Sequence, residues 1–150
     1  MECLTFVLGN ERFAVDILRV REIRVWSAPT RLPAVPDYVC GVINLRGMIV
    51  PILDLRLRFG IGSAEVDANT VTLILGNGEE RLMGLVVDAV ADVLSLAGQD
   101  AVPARLSGHN SVLPFLDTLI RHQGQVIAVL DVDALMDLDS LPCQEGDHAA

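Results

Sequence analysis

The sequence predicts a mainly β protein made of two pseudo-repeated, five-stranded β-barrels that pack together, each with one short helix. Two observations lead to this fold class. Apolar residues come mostly in strand-length runs separated by Gly, Asn, Asp and Pro, which is the pattern of strands joined by turns. The pattern of the first half then starts again near residue 71, which indicates an internal repeat. Many short strands with turn signals favour a sandwich or a barrel.

Local turn and cap signals define the elements of the first half. Gly9 and Asn10 make a turn between two apolar runs, and Gly47 stands where the hairpin GVINLRGMIVPILDL must turn. Asp54 is predicted to cap the start of a helix, and Gly60 to end it. The predicted elements are two strands in 4–18, a third strand in 21–26, an apolar hairpin in 41–55 and a short helix in 54–60.

The second half repeats this arrangement. The segment 71–96 (VTLILGNGEERLMGLVVDAVADVLSL) matches 4–26 (LTFVLGNERFAVDILRVREIRVW) at an offset of 67 residues for the first strand, 69 for the second and 70 for the third. The segment 123–132 (QGQVIAVLDV) matches 46–55 (RGMIVPILDL) at an offset of 77. The repeat predicts a single domain over 1–138 with these parts: a first subdomain at about 4–59, a linker at about 60–70, a second subdomain at about 71–137, and then a disordered tail at 139–150.

Composition and charge restrict the class of function. The net charge of −9 argues against binding to nucleic acid, which needs a basic surface. The charge is uneven, because residues 1–60 hold eight Arg against six acids, whereas residues 61–150 hold three Arg against fourteen acids. The three cysteines are far apart and odd in number, which favours reduced thiols in a cytoplasm. No uninterrupted run of about 18 apolar residues occurs, so we expect no insertion into a membrane.

The motifs point to no enzyme, metal or cofactor. The segment 131–139 (DVDALMDLD) begins like a calcium loop, but Met136 stands at the sixth position and Pro142 at the twelfth. A helix capped by Asp131 is favoured. No Ser, Cys and His are arranged as a nucleophile with its base. The histidines show no metal-ligand spacing; they are His109, His122 and His148. A barrel that binds a small ligand in its mouth is the alternative.

Three segments carry a resemblance to a known family. FAVDILRVREIR, YVCGVINLRGMIVPILDLRLRFG and GLVVDAVADVLSL are similar to the CheW family of bacterial chemotaxis, and the similarity covers about 4–137. The resemblance implies two intertwined, five-stranded barrels of SH3-like or OB-like type. The chain departs from the family near 111–124, where Asp117 and Thr118 stand in place of a glycine-containing strand.

The resemblance also implies a function and partners. It implies a non-catalytic cytoplasmic adaptor that is recruited to receptor arrays at the membrane. The implied partners are the signalling tips of methyl-accepting chemoreceptors and the regulatory domain of the histidine kinase CheA. A coupling protein of a pilus, surface-motility or biofilm pathway is the alternative within the adaptor class.

The family places receptor binding in a groove between the two barrels. The positions that match its motifs are Val20, Glu22 and Ile23 of RVREI and Val90 and Val93 of AVADV. These two stretches correspond to each other in the internal repeat, and a helical receptor tip would fit between them. The alternative for each valine is a place in the hydrophobic core.

Arg46 is a permanent cation at the tip of the apolar hairpin. The repeat places Gln123 at the equivalent turn, so a cation is not needed to make the turn. Glu22 is the predicted carboxylate partner of the Arg46 guanidinium, which has a rigid fork of donors. We expect Arg46 to pin neighbouring strands and so to shape the groove; a direct contact with a partner is the alternative.

Overall fold

A computed structural model describes residues 1–62, 65–76, 81–102 and 113–136. The strands are β1 Glu2–Leu8, β2 Glu11–Asp16, β3 Val20–Val25, β4 Val39–Leu45, β5 Met48–Asp54, β6 Val71–Gly76, β7 Leu82–Val87, β8 Ala89–Ser95, β9 Asp100–Val102, β10 Leu116–His122 and β11 Gln125–Leu130. The helices are α1 Leu55–Arg58 and α2 Val132–Met136, with 3₁₀ turns at Ile17–Arg19 and Leu113–Phe115. The mainly β class is confirmed; the tail predicted at 139–150 lies outside the described residues.

The strands form two sheets that exchange elements between the sequence halves. The six-stranded sheet has the order β8-β1-β2-β11-β10-β9, and the five-stranded sheet has the order β3-β6-β7-β5-β4. Each sheet therefore contains strands from both sides of the linker. Two parallel pairings join the halves: β2 lies beside β11, and β5 lies beside β7. The predicted boundaries, 4–59 and 71–137, thus separate repeated sequences and not separate sheets.

The strand registers correct the predicted offset of the first strand. Phe6 of β1 pairs with Val90 of β8, and Leu75 of β6 pairs with Val20 of β3. Because Val20 and Val90 are equivalent, Phe6 corresponds to Leu75, 69 positions later and not 67. Phe6 pairs with Phe13 and Leu75 pairs with Met83, so the second strand is offset by 70 and not 69. The offset of 67 rested on matching two Gly-Asn pairs. The first pair lies in a turn, whereas Gly76 of the second is the last residue of a strand.

In the part of the chain that the structure describes, three apolar clusters hold the sheets together. The largest lies between the two sheets and includes Leu73 and Leu75 of β6, whereas Ile74 faces a smaller cluster on the other side of the same sheet. Alternate residues of one strand therefore enter two different cores, as the strand pleat requires. The cluster enclosed by the six-stranded sheet contains Cys3, Ala14, Ile120, Ile127 and Val129.

The five-stranded sheet curls until its two outer strands come near each other. After β3 the chain returns across β4, where Thr30 and Val42 exchange two backbone hydrogen bonds of 2.8 Å each. Arg46, in the turn after β4, contacts Glu22 of β3. Gly41 permits the crossing, because a Cβ there would lie 2.1 Å from the Thr30 carbonyl oxygen.

The local geometry repeats with the sequence. Asp54 accepts a hydrogen bond from the backbone N–H three residues later at 3.2 Å, and Asp131 does the same at 3.1 Å. Both predicted helix caps are therefore confirmed. Arg46 and Gln123 begin the two equivalent hairpin turns with φ of 50° and 52°. The offset of 77 thus holds for backbone conformation as well as for sequence.

The segment that departs from the family still forms a strand. β10 begins at Leu116, and its pairing with β11 shifts register between Leu116 and Thr118. Asp117 is the extra residue of this β-bulge, and its side chain is exposed. The bulge lets a carboxylate stand within a strand without entering a core.

Candidate functional site

A bulge puts Val20 and Ile23 on the same face of β3, which is an outer strand of the five-stranded sheet. Val20 pairs with Leu75 and Ile23 with Leu73, and both leucines belong to the core between the sheets. Residues three apart on a regular strand face opposite ways. The register shift between Val20 and Glu22 supplies the extra residue that brings them onto one face.

The outer strand of the other sheet, β8, is built in the same way. Val90 pairs with Phe6, and Val93 pairs with Leu4, again with a register shift between the two pairs. The hydroxyl of Thr5 fills the gap in the ladder, donating to the Asp92 carbonyl at 3.0 Å and accepting from the Asp92 N–H at 2.8 Å. Two rows of aliphatic side chains therefore border the same inter-sheet core.

We call Val20, Ile23, Val90 and Val93 the aliphatic groove, because they match the family positions that are expected to line a receptor groove. Val20 and Val90 are partly buried and pack on the inter-sheet core, and we call them the floor. Ile23 is 48% exposed and Val93 is 53% exposed, and we call them the rim.

The sequence patterns missed a rim residue on β3. Val25 pairs with Val71, whose side chain packs on the inter-sheet core, so Val25 shares the face of Ile23. It is 80% exposed, more than any of the four groove residues. The spacing of two between Ile23 and Val25 is the ordinary strand signal, but Val25 lies outside the family motif that defined the candidates.

Glu22 faces away from the four aliphatic residues. It pairs with Ile74, which belongs to the cluster enclosed by the five-stranded sheet. Its carboxylate accepts hydrogen bonds from Arg24 Nη1 at 3.0 Å and from Arg46 Nη2 at 3.2 Å. Desolvation opposes ionisation of Glu22, but the bonds from Arg46 and Arg24 outweigh it, and the pKa of Glu22 is lowered. Glu22 is therefore ionised, and it lies on the face of β3 opposite to the aliphatic groove, where it binds two arginines.

Arg46 makes the contact with Glu22 that the sequence predicts, and this contact joins the two outer strands of the five-stranded sheet. The Arg46 side chain is 75% exposed, however, so water surrounds most of the guanidinium. Exposed ion pairs add little to stability. The geometry therefore fits an ion pair that orients β3 and contributes little to the free energy of unfolding.

We expect Arg46→Ala to lower the free energy of unfolding only slightly. Arg24 still donates to Glu22 in this variant, so the carboxylate keeps one partner. Urea unfolding of wild type, Arg46→Ala and Arg46→Lys measures the effect, with binding of a receptor tip recorded on the same samples. A stability loss as large as that of a core truncation would contradict this expectation. Loss of binding in Arg46→Ala but not in Glu22→Gln, which weakens the same ion pair, would show a direct contact of Arg46 with the partner.

The two described cysteines are protected thiols. Cys3 is buried, and desolvation, with the nearby Asp16 adding to it, raises its pKa to about 11. Desolvation, together with Asp54, also raises the pKa of Cys40 to about 11. A thiol with such a pKa is uncharged at neutral pH, and the thiolate is the nucleophilic form. Neither side chain is prepared for nucleophilic chemistry.

We expect the folded protein to lose stability as the pH rises from about 9 to about 11. The unfolded thiols ionise near pH 9, whereas the folded thiols hold their protons until about pH 11, so alkali favours the unfolded state. Thermal melts of Cys143→Ser between pH 8 and pH 11 measure this loss. Adding Cys3→Ala should reduce the dependence and leave the part that Cys40 contributes; an unchanged slope would contradict the assignment.

The described residues contain no group of three or more His, Cys, Asp or Glu side chains that could hold a metal ion. Two open pockets, of about 450 and 400 Å³, lie beside the β1–β2 turn and beside the 31–40 loop. Neither is lined by a groove residue. Within the described ranges no helix is long and apolar enough to cross a membrane.

Comparison with known proteins extends these observations. The family model for the CheW-like domain matches residues 2–140. The chain is 39% identical to the chemotaxis protein CheW of Klebsiella aerogenes, over 93% of this chain and 84% of that protein. It is 36% identical to the chemotaxis protein CheW of Rhizobium meliloti, over 89% and 86%. The crystal structure of a scaffolding protein CheW from Thermoanaerobacter tengcongensis is similar with a TM-score of 0.77 and 26% identity, over 93% of this chain and 90% of that one.

Proposed function

The chain belongs to the CheW family of chemotaxis adaptor proteins, and on that basis we propose that it joins the signalling tips of chemoreceptors to the regulatory domain of the histidine kinase CheA. The observation that carries the receptor side of this proposal is the aliphatic groove. Its residues lie on two equivalent edge strands, β3 and β8, and both strands border the inter-sheet core. The rim residues Ile23 and Val93 are about half exposed.

The chemistry of the groove suits a helical partner. An amphipathic helix places apolar side chains on one face at spacings of three and four residues, and it can lay that face between two aliphatic rows. Burial of the rim residues would remove apolar surface from water, which is the main driving force of such association. The partner therefore needs an apolar stripe and no particular charge at its centre.

We propose that the protein works by bridging, without catalytic turnover, in the cytoplasm next to membrane-bound receptor arrays. Protected thiols and a carboxylate already paired with two arginines support this proposal. A bridging protein needs a second surface for the kinase, apart from the groove, because both partners are bound at once.

Reconstitution tests the proposed function. Receptor tips displayed on vesicles, the kinase CheA of the same host and the protein are mixed, and ATP-dependent autophosphorylation of the kinase is measured together with co-sedimentation. We expect the protein to sediment with both partners and to change kinase activity. Binding to neither partner would refute the adaptor function. Assembly only with the kinase of a pilus or biofilm pathway would support the adaptor function but assign it to that pathway.

A further inference from the structure

We propose that two ion pairs, Arg19–Asp133 and Arg56–Asp88, position the two strands of the aliphatic groove for receptor binding. The inference rests on the proposed function, because it concerns the same groove. We call the two pairs the groove clasps. Each joins the short helix of one sequence half to the start of a groove strand of the other half.

The first clasp holds the start of β3. Arg19 is the last residue of the 3₁₀ turn and directly precedes Val20 on the groove floor. Its Nη2 donates to Asp133 in the first turn of α2, and its Nε donates to the Gly76 carbonyl at 2.9 Å. The hydrogen bond from Arg19 is the largest cause of the lowered pKa of Asp133, so both partners are charged at neutral pH. The position of β3 is therefore coupled to α2.

The second clasp holds the start of β8. Asp88 directly precedes this strand and lies two residues before Val90. Its Oδ2 accepts from the Gly9 N–H at 2.7 Å, and its Oδ1 lies 3.9 Å from Arg56 Nε of α1. The Asp88 N–H donates to the Val7 carbonyl at 3.0 Å. The corner before β8 is thus held by a hydrogen bond from a turn of the other half and lies within ion-pair distance of its helix.

The clasps are similar in place and opposite in charge: their helix residues are equivalent, and their partners lie one residue before Val20 and two residues before Val90. Asp133 of α2 corresponds to Arg56 of α1 by the offset of 77. The first half therefore contributes a cation to both clasps, Arg19 and Arg56, and the second half contributes an anion to both, Asp88 and Asp133. If two first halves packed together, arginines would face arginines at both clasps. If two second halves packed together, aspartates would face aspartates. Only a first half paired with a second half satisfies both clasps and brings Val20 and Val90 to one core.

The chain offers a matched control for stability. Arg81 also holds α2, because its Nη2 donates to the Met136 carbonyl at 2.6 Å. Arg81 precedes β7, which is an inner strand and no part of the groove. Arg81 contacts the last residue of α2, whereas Asp133 lies in its first turn, so loss of the Arg81 bond should lower stability while both clasps stay in place.

The test compares Asp133→Asn, Asp88→Asn and Arg81→Met in the full chain. The probe is the cytoplasmic tip of a host chemoreceptor on vesicles, and its affinity is measured at low and high salt. We expect each clasp variant to weaken binding about three- to fivefold at low salt, the size of a partly exposed ion pair. The loss should shrink in 1 M salt, which screens such pairs. Asp133→Glu should restore binding, and Arg81→Met should bind like wild type.

A distance measurement separates this inference from the proposed function. Spin labels on Ile23→Cys and Val93→Cys, in a background without Cys40 and Cys143, report the width of the groove in the absence of a receptor. We expect Asp133→Asn and Asp88→Asn to broaden the distribution of that distance and Arg81→Met to leave it unchanged. Unchanged distances in both clasp variants, or equal broadening in all three, would overturn the inference. Failure of the wild-type protein to bind the receptor tip would instead refute the proposed function.

Discussion

Val93→Asp weakens binding of the receptor tip at least about a hundredfold and leaves the protein folded. Val93 is on the rim of the aliphatic groove, where its side chain is half exposed in the free protein. A carboxylate there is solvated before binding but loses water when an apolar helix covers it. An uncompensated buried charge costs several kcal/mol, which corresponds to this loss of affinity. Binding isotherms with the receptor tip, together with circular dichroism and urea unfolding, measure both parts.

Val126→Asp is the matched control for this result. Val126 lies on β11 outside the groove and is 48% exposed, close to the exposure of Val93. It should bind the receptor tip like wild type. Equal loss of affinity in the two variants, or full binding by Val93→Asp, would refute the groove. Val20→Asp should behave differently from both, because Val20 packs on the inter-sheet core and the new charge would lower stability directly.

Gly41→Ala lowers the free energy of unfolding by about 3 kcal/mol or more, or prevents folding. A Cβ at residue 41 would lie 2.1 Å from the Thr30 carbonyl oxygen, and that oxygen accepts the hydrogen bond from Val42. The Cβ is fixed to the backbone of residue 41, and the oxygen belongs to the backbone of Thr30, so neither atom can rotate away as the end of a side chain does. The loop that closes the five-stranded sheet would have to leave its bridge with β4. Urea unfolding with far-UV circular dichroism measures the loss.

Gly98→Ala separates the clash from the cost of an unusual backbone conformation. Gly98 also has a positive φ, of 82°, but a Cβ there would meet nothing within 4 Å. Its substitution should cost about 1–2 kcal/mol, the usual penalty of a left-handed conformation for a residue with a Cβ. Equal losses in Gly41→Ala and Gly98→Ala would show that the contact with Thr30 is unimportant.

The sequence is informative where structure depends on neighbours in the chain. The cap at Asp54, the cap at Asp131 and the hairpin turn at Gly47 each follow from a few adjacent residues, and all are present. The pairing of β2 with β11 and of β5 with β7 has no comparable local signal. Such partners are selected by the shared cores, and only the family resemblance implied that the barrels intertwine.

The candidate site shows the same division. The family motif identifies the aliphatic residues Val20, Ile23, Val90 and Val93, and the structure places all four beside one core. The motif groups Glu22 with them, but one extra residue in the bulge turns Glu22 to the opposite face. A bulge of one residue leaves almost no trace in a single sequence, because it is defined by the partner strand.

The exchange of strands between the halves also determines how the chain can fold while it is being made. β1 gains its second neighbour only when β8 has been synthesised, because Phe6 pairs with Val90. β2 gains its second neighbour only when β11 has been synthesised, because Ala14 pairs with Val129. At about 5–20 residues per second, synthesis of the missing partners takes several seconds or more. During that time the first hairpin presents unpaired strand edges, which is the state most prone to aggregation. Pairings this distant also make the final step slow, since each closes a long loop before its contacts are gained. A ribosome-bound chain that ends in the linker should therefore need a chaperone that the finished protein does not.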